Sequence, residues 1–130
     1  MFSYKDAASR NWQAANALPS AHAQVADHLY GIAAECALGA ILVHQNLVKT
    51  ENGLMARDEG ARGHINRLWH SYKGLLSGRT AMMIPDQSPF DDWDVAHRYC
   101  SKDWLDRQPA QRLAERKVAA QECLKKMYLA

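Results

Sequence analysis

Residues that break helices are scarce in this chain of 130 residues, which has only 7 glycines and 4 prolines. Because alanine is common and helix breakers are few, the composition favours helices. Cysteine is scarce as well: the chain has 3, an odd number with no two close together in the sequence. That count excludes the disulfide framework of a small secreted domain, so we expect reduced thiols in a cytoplasmic protein.

The chain also lacks an excess of charge of one sign. Its 16 basic residues nearly balance its 14 acidic ones, so the net charge is +2 and a tail that binds polyanions is excluded. The longest apolar run, residues 29–43, contains Glu35 and is shorter than the roughly 20 residues that cross a membrane. Residues 1–6 lack a basic segment followed by an apolar one. We therefore expect neither a signal peptide nor a membrane span.

What the chain does contain is helical periodicity, at a length that suits one domain over residues 1–130. Residues 4–18 predict a first helix that ends at Pro19, and Ser20 can cap a second. The second helix has two apolar sets, so we expect burial on more than one side, with a second subunit as one candidate neighbour. The first set recurs alternately every four and three residues and consists of Val25, Leu29, Ile32, Cys36, Gly39 and Val43. The second set makes the apolar face of the helix wider and consists of Tyr30, Ala34, Leu38, Ile41 and Leu42.

Two connections and three more helices complete the predicted organisation. Residues 46–63 are polar and contain the turn signal Asn52-Gly53, and residues 64–77 have the apolar face of a third helix. The connection over residues 79–89 is apolar enough to pack onto the other helices, with Met82, Met83 and Ile84 in its middle.

The sequence after this connection predicts a fourth helix that starts at Ser88-Pro89 and continues through Trp104. Pro109 opens a last helix that runs nearly to the end of the chain. Since no segment alternates between apolar and polar residues as a strand does, we expect no strand. The predicted fold class is all-α, an up-and-down bundle of four to five helices.

The common chemical motifs are absent from the sequence. It has no glycine-rich phosphate loop, no HExxH, no CxxC and no Gly-x-Ser-x-Gly elbow. The histidines and cysteines do not recur at the spacings of metal ligands, so we expect no metal and no cofactor.

Four side chains are nevertheless candidates for a catalytic site. Glu35 lies in the middle of an apolar helix, where a carboxylate must be paired, hydrogen-bonded or neutralised; a structural ion pair with an arginine and a role in a site are both open. His97 shares an apolar stripe, and Arg98 can pair with Asp94 or reach Glu35. His64 begins the predicted third helix beside a glycine.

Three segments, in this order, resemble the HEPN domain family over roughly residues 20 to 105. Residues 26–42 (ADHLYGIAAECALGAIL) resemble the central helix of these domains, which has a tyrosine followed by Ala-Ala-Glu. Residues 63–69 (GHINRLW) resemble the His-x-Leu-x-x-Leu start of the next helix. Residues 97–99 (HRY) resemble the Arg-Tyr near a later helix.

The resemblance implies an all-α bundle that pairs as a homodimer. Many members are metal-independent endoribonucleases of toxin–antitoxin, phage-defence or RNA-processing systems, and others are non-catalytic partners of nucleotidyltransferases. The nucleases carry Glu-x3-Lys on the central helix and a later Arg-x4–6-His. Here Glu35 matches the glutamate and Gly39 stands at the lysine position. Arg57 and His64 have the second spacing, but they precede the third helix.

Two hypotheses for the function follow, and a weaker third stands beside them. The first is an RNA-associated HEPN-like protein of toxin–antitoxin or defence type, in which Arg98 holds a phosphate, a histidine transfers a proton and Glu35 lies in the same groove. The second is a non-catalytic, dimeric interaction module whose partner is an antitoxin or a nucleotidyltransferase. The third is a helical dimer that binds a small molecule beneath the loop around Met83.

Overall fold

One helix of 22 residues, α2 (Ala23–His44), occupies the centre of the fold. In the computed structural model, which describes residues 2–59, 62, 65–75 and 87–129, α2 packs along α1 (Tyr4–Ala17) on one side and α5 (Ala110–Leu129) on another. It also contacts α3 (Ile65–Leu75). A 3₁₀ turn (Ser20–His22) leads into α2. The predicted all-α class is therefore confirmed for the long elements.

The first and last predicted helices are confirmed nearly to the residue. The side chain of Ser3 caps α1 by accepting a hydrogen bond from the backbone N–H of Asp6, at 3.2 Å. α1 ends just before Pro19, and α5 begins just after Pro109. Proline has no backbone N–H and suits the ends of helices, so these two residues were reliable boundaries.

Small side chains allow the close packing of α2. Ala33, Ala34 and Ala37 are completely buried, and Gly39 lies so near the ring of Tyr4 that a Cβ atom there would be 3.1 Å from it. The prediction of burial on several sides is confirmed. Of the two apolar sets, the second forms the core, whereas Val25 of the first is half exposed.

The expectation of no strand is wrong. Two short antiparallel strands, β1 (Thr50–Glu51) and β2 (Leu54–Met55), form a hairpin after α2. Asn52 and Gly53 have φ angles of 53° and 86°, the left-handed values that a tight two-residue hairpin turn requires. The turn signal was correct, but strands of two residues are too short to alternate visibly. The hydroxyl of Tyr4 fixes the hairpin to α1 by accepting from the backbone N–H of Met55.

The predicted fourth helix over residues 88–104 is also wrong as one continuous element. The segment instead forms a turn, a 3₁₀ helix (Val95–Tyr99) and the short α4 (Lys102–Asp106). Asp94 and Ser101 interrupt it, because each binds a nearby backbone N–H and starts a new turn, and Ser88 at the predicted start also accepts from the N–H of Phe90. These local hydrogen bonds compete successfully with a long helix whose apolar spacing was otherwise suitable.

The third helix is confirmed where the structure describes it, with α3 beginning at Ile65. His64 lies outside the described residues. So does the part of the predicted connection that contains Met82, Met83 and Ile84.

The segment Ser20–His44 is long and apolar enough to cross a membrane by length and composition alone, with a mean hydropathy of 1.3. Within this protein 56% of that apolar window is buried. The central helix of a helical bundle meets the same criteria, so this weak signal has a structural explanation in the packing of α2.

Gly31 provides a test of how tightly α2 packs. A Cβ atom at Gly31 would lie 2.0 Å from the ring of the buried Trp93, so we expect Gly31→Ala to lower the free energy of unfolding by about 1–3 kcal/mol. This cost exceeds the roughly 1 kcal/mol that alanine contributes to a helix over glycine. Urea unfolding followed by circular dichroism measures the difference.

The matched control is Gly74→Ala in α3, where a Cβ atom would meet none of the described residues within 4 Å. We expect this change to leave stability unchanged or to raise it slightly. Equal stability of the two variants would contradict the described packing of Trp93 on α2.

Candidate functional site

A buried arginine on α5 joins three parts of the chain. The side chain of Arg116 is 1% exposed, and its guanidinium donates to Asp27 of α2 at 3.0 Å and to Asp92 at 2.9 Å. It also donates to the backbone carbonyl of Pro89 at 3.3 Å, and it lies 5.6 Å from the ring centre of Phe90. Because a buried charge must be paired, this cluster fixes the segment around Asp92 between α2 and α5.

A second arginine of α5 extends the cluster toward the surface. Nε of Arg112 lies 3.1 Å from Oδ2 of Asp92, and Nη1 donates to Gln108 at 2.6 Å. Partial burial by itself would raise the pKa of Asp92, but the hydrogen bond and charge of Arg116 and the charge of Arg112 lower that pKa below its ordinary value. Asp92 therefore stays ionised and holds both guanidinium groups.

An open cleft of about 320 Å³ lies beside this cluster, between the start of α2, the 3₁₀ helix, α4 and the first turns of α5. Trp104, Leu105 and Leu113 contribute apolar surface to the cleft. Asp27, His97 and Arg112 contribute polar groups. A concave apolar site with a few convergent polar groups is the usual form of a ligand site.

Of the predicted site residues that the structure describes, His97 alone lines this cleft. Its Nδ1 accepts a hydrogen bond from the backbone N–H of Asp94 at 3.3 Å, as part of the capping box of the 3₁₀ helix. Burial lowers the pKa of His97, and the charge of Arg112 lowers it further, against the raising effect of Asp94 and Asp27. The imidazole is therefore neutral at neutral pH. Because Nδ1 is the acceptor, its proton is on Nε2.

Arg98, the next residue, lies on the surface instead. Its guanidinium stacks on the exposed ring of Tyr99, 4.8 Å from the ring centre. Within the described part of the chain, neither Asp94 nor Glu35 forms an ion pair with it. Arg98 faces His28 closely enough to lower the pKa of that side chain, in addition to the larger effect of burial.

Glu35 interacts with a different part of the fold. Its carboxylate accepts a hydrogen bond from the backbone N–H of Ile65, the first residue of α3, at 3.0 Å. Burial raises the pKa of Glu35 to about 7, although the hydrogen bond from Ile65 opposes this, and the charge of Asp94 raises it further. A carboxylate at a helix N-terminus satisfies an N–H group that has no partner within the helix. The alternative of a structural ion pair is not observed among the described residues.

The three predicted site residues that the structure describes do not converge, and His64 lies outside the described residues. His97 lines the cleft, Arg98 lies on the surface, and Glu35 caps α3. The lysine position of the HEPN pattern is also closed, because Gly39 is buried against Tyr4 and has no room for a long side chain.

The sequence reasoning missed the residues that build the cluster, above all Asp27 and Arg116. One signal could have revealed Arg116: it lies three residues after Leu113 and four before Ala120, on the apolar stripe of the last helix. A charged residue on such a stripe needs a buried partner. In the ranges that the structure describes, no group of three or more histidine, cysteine or acidic side chains is arranged to hold a metal ion.

The raised pKa of Glu35 predicts a specific pH dependence of stability. The folded-state value of about 7 exceeds the ordinary value of 4.5, so the folded protein holds this proton more tightly. The resulting stability is complete below about pH 4.5 and is lost as the pH rises through about 7. Glutamine imitates the neutral form and keeps an oxygen for Ile65.

We therefore expect Glu35→Gln to gain on the order of 1–2 kcal/mol of unfolding free energy relative to wild type between about pH 5 and about pH 8. Urea titrations at the two pH values measure the gain. The control is Glu51→Gln on an exposed position of β1, for which the difference from wild type stays constant. A constant difference for Glu35→Gln as well would show that Glu35 is already ionised at about pH 5.

Comparison of the chain with protein-family models, with curated proteins and with solved structures found no match in any of the three.

Proposed function

We propose that this protein is a non-catalytic, HEPN-like interaction module that acts as a homodimer in the cytoplasm. The carrying observation is the position of Glu35, which is hydrogen-bonded to the first residue of α3 rather than directed into the cleft with His97. An acid, a base and a phosphate-binding cation must meet at the same reacting atoms for RNA cleavage. Glu35 is bonded to α3 and does not line the cleft, and Arg98 is stacked on Tyr99, so these engagements favour binding over catalysis.

The surface proposed for the homodimer is the first part of the first apolar set of α2, from Val25 to Cys36. Val25 is 50% exposed, and Leu29, Ile32 and Cys36 are only partly buried, although they recur at the spacing of a helix–helix interface. Two copies of one helix face form a self-complementary contact. In the proposed role, this dimer binds a partner protein, which is an antitoxin or a nucleotidyltransferase of a toxin–antitoxin or defence system.

Sedimentation of the wild type and two matched variants tests the dimer. We expect a wild-type dimer at micromolar concentration that Val25→Asp weakens by about tenfold or more, because the new carboxylate would be desolvated in the interface. Val118→Asp, at a 58% exposed position on α5, leaves the dimer intact. A monomeric wild type, or equal effects of the two substitutions, would exclude this surface.

A second candidate function is metal-independent RNA cleavage, and one observation favours it. His97 is a neutral imidazole in an open cleft that also contains Arg112 and Asp27, so the cleft has a proton-transfer group beside a cation. The 2′-hydroxyl of RNA would be the nucleophile. Arg112 is already bonded to Asp92 and Gln108, which limits its use for a phosphate.

Incubation with total RNA in the presence of EDTA separates the two candidates. We expect no cleavage by the wild type, by Arg98→Ala or by His97→Gln. Cleavage by the wild type that is lost in His97→Gln and retained in Arg98→Ala would overturn the non-catalytic proposal and place catalysis in the cleft. Loss of RNA cleavage in both variants would show that Arg98 also belongs to the active site.

A further inference from the structure

The polar atoms around the cleft differ in how fully they are used. Arg112 donates to Gln108, whose own side-chain N–H group donates to the backbone carbonyl of Trp104 at 3.0 Å. Oδ1 of Asp27 accepts from Arg116. In contrast, Oδ2 of Asp27 and Nε2 of His97 have no hydrogen-bond partner in the part of the chain that the structure describes. Asp27 therefore offers the cleft a strong acceptor, and His97 offers it a donor.

The charges that border the cleft cancel. The guanidinium groups of Arg112 and Arg116 face the carboxylates of Asp27 and Asp92, and both arginines are bonded to Asp92. Of these four groups, Asp27 and Arg112 line the cleft itself, so a ligand of either sign would be attracted by one of them and repelled by the other. Neither sign of charge gains an advantage, which favours a neutral ligand.

The apolar surface adds a requirement of shape. Trp104, Leu105 and Leu113 line the same cleft, and aromatic and aliphatic walls favour a flat ring over a flexible chain. An acceptor and a donor in the cleft also discriminate between ligands, because a bound ligand that lacks the matching groups leaves them unpaired.

We propose that this cleft binds a small, uncharged, planar ring that carries an N–H group next to a carbonyl oxygen, the edge of a cyclic amide. The N–H of the ligand donates to Oδ2 of Asp27, and its carbonyl accepts from Nε2–H of His97. The ring lies against Trp104. This site is independent of the dimer surface on α2 and of the capping role of Glu35.

Binding of four small ring compounds tests the proposal on the whole protein. The probe is 2-pyridone, a cyclic amide, and the indole N–H signal of Trp104 in NMR spectra, assigned with Trp104→Phe, reports binding. N-methyl-2-pyridone lacks the donor, benzamidine is a cation and benzoate is an anion. We expect 2-pyridone to bind at concentrations up to about 10 mM and each of the others to bind at least about tenfold more weakly.

Two matched substitutions on α5 locate the binding. Ala110 is exposed and lines the cleft, so Ala110→Trp fills it and abolishes the shift without disturbing the core. Ala114→Trp, one helical turn later and also exposed, lies outside the cleft and leaves binding unchanged. Circular dichroism confirms that both variants are folded.

Each other outcome overturns the proposal. No shift with 2-pyridone excludes a cyclic-amide site, and equal binding of the N-methyl compound excludes the role of Asp27. Tighter binding of benzamidine or benzoate shows that the cleft selects a charge. Persistence of the shift in Ala110→Trp places the bound probe elsewhere on the protein.

Discussion

The buried guanidinium of Arg116 is the interaction on which the arrangement of this protein depends. Three acceptors from two separate parts of the chain surround it: a carboxylate at the start of α2, and a carboxylate and a backbone carbonyl from the segment before the 3₁₀ helix. Loss of one of these partners would leave a buried charge unpaired, at a cost of several kcal/mol. As a result, α2, α5 and the segment around Asp92 have few alternative positions. The cleft lies beside this cluster, and Asp27 belongs to both.

Close packing around α2 works together with that cluster. The indole N–H of Trp93 donates to the backbone carbonyl of Asp27, and its ring fills the space above Gly31. Trp93 is only one residue from Asp92, which binds Arg116. The ion pair and the tryptophan thus fix the same short segment, one through charge and the other through shape. A larger residue at Gly31 would displace both.

The candidate chemistry is divided between two places that sequence spacing could not separate. Glu35 stabilises the start of α3, and its environment raises its pKa without providing a cleft partner. His97 and Asp27 lie in an open cleft whose charges cancel, an arrangement suited to recognition of a neutral group. The proposed dimer surface on α2 is a third region. Binding at these surfaces is compatible with the fold that the HEPN resemblance implies and does not require its nuclease residues.

The sequence by itself determined the long helices, since their 3.6-residue periodicity and the bounding Pro19 and Pro109 are local signals. It also indicated the Asn52-Gly53 turn and the burial of α2. Only the tertiary structure decided that residues 88–104 break into short turns, because the packing of Trp93 on Gly31 and the pairing of Asp92 with Arg116 hold the start of this segment against α2 and α5. It alone paired Arg116 with Asp27, 89 positions apart. Contacts between such distant residues depend on how the helices pack, and no spacing within one helix encodes them.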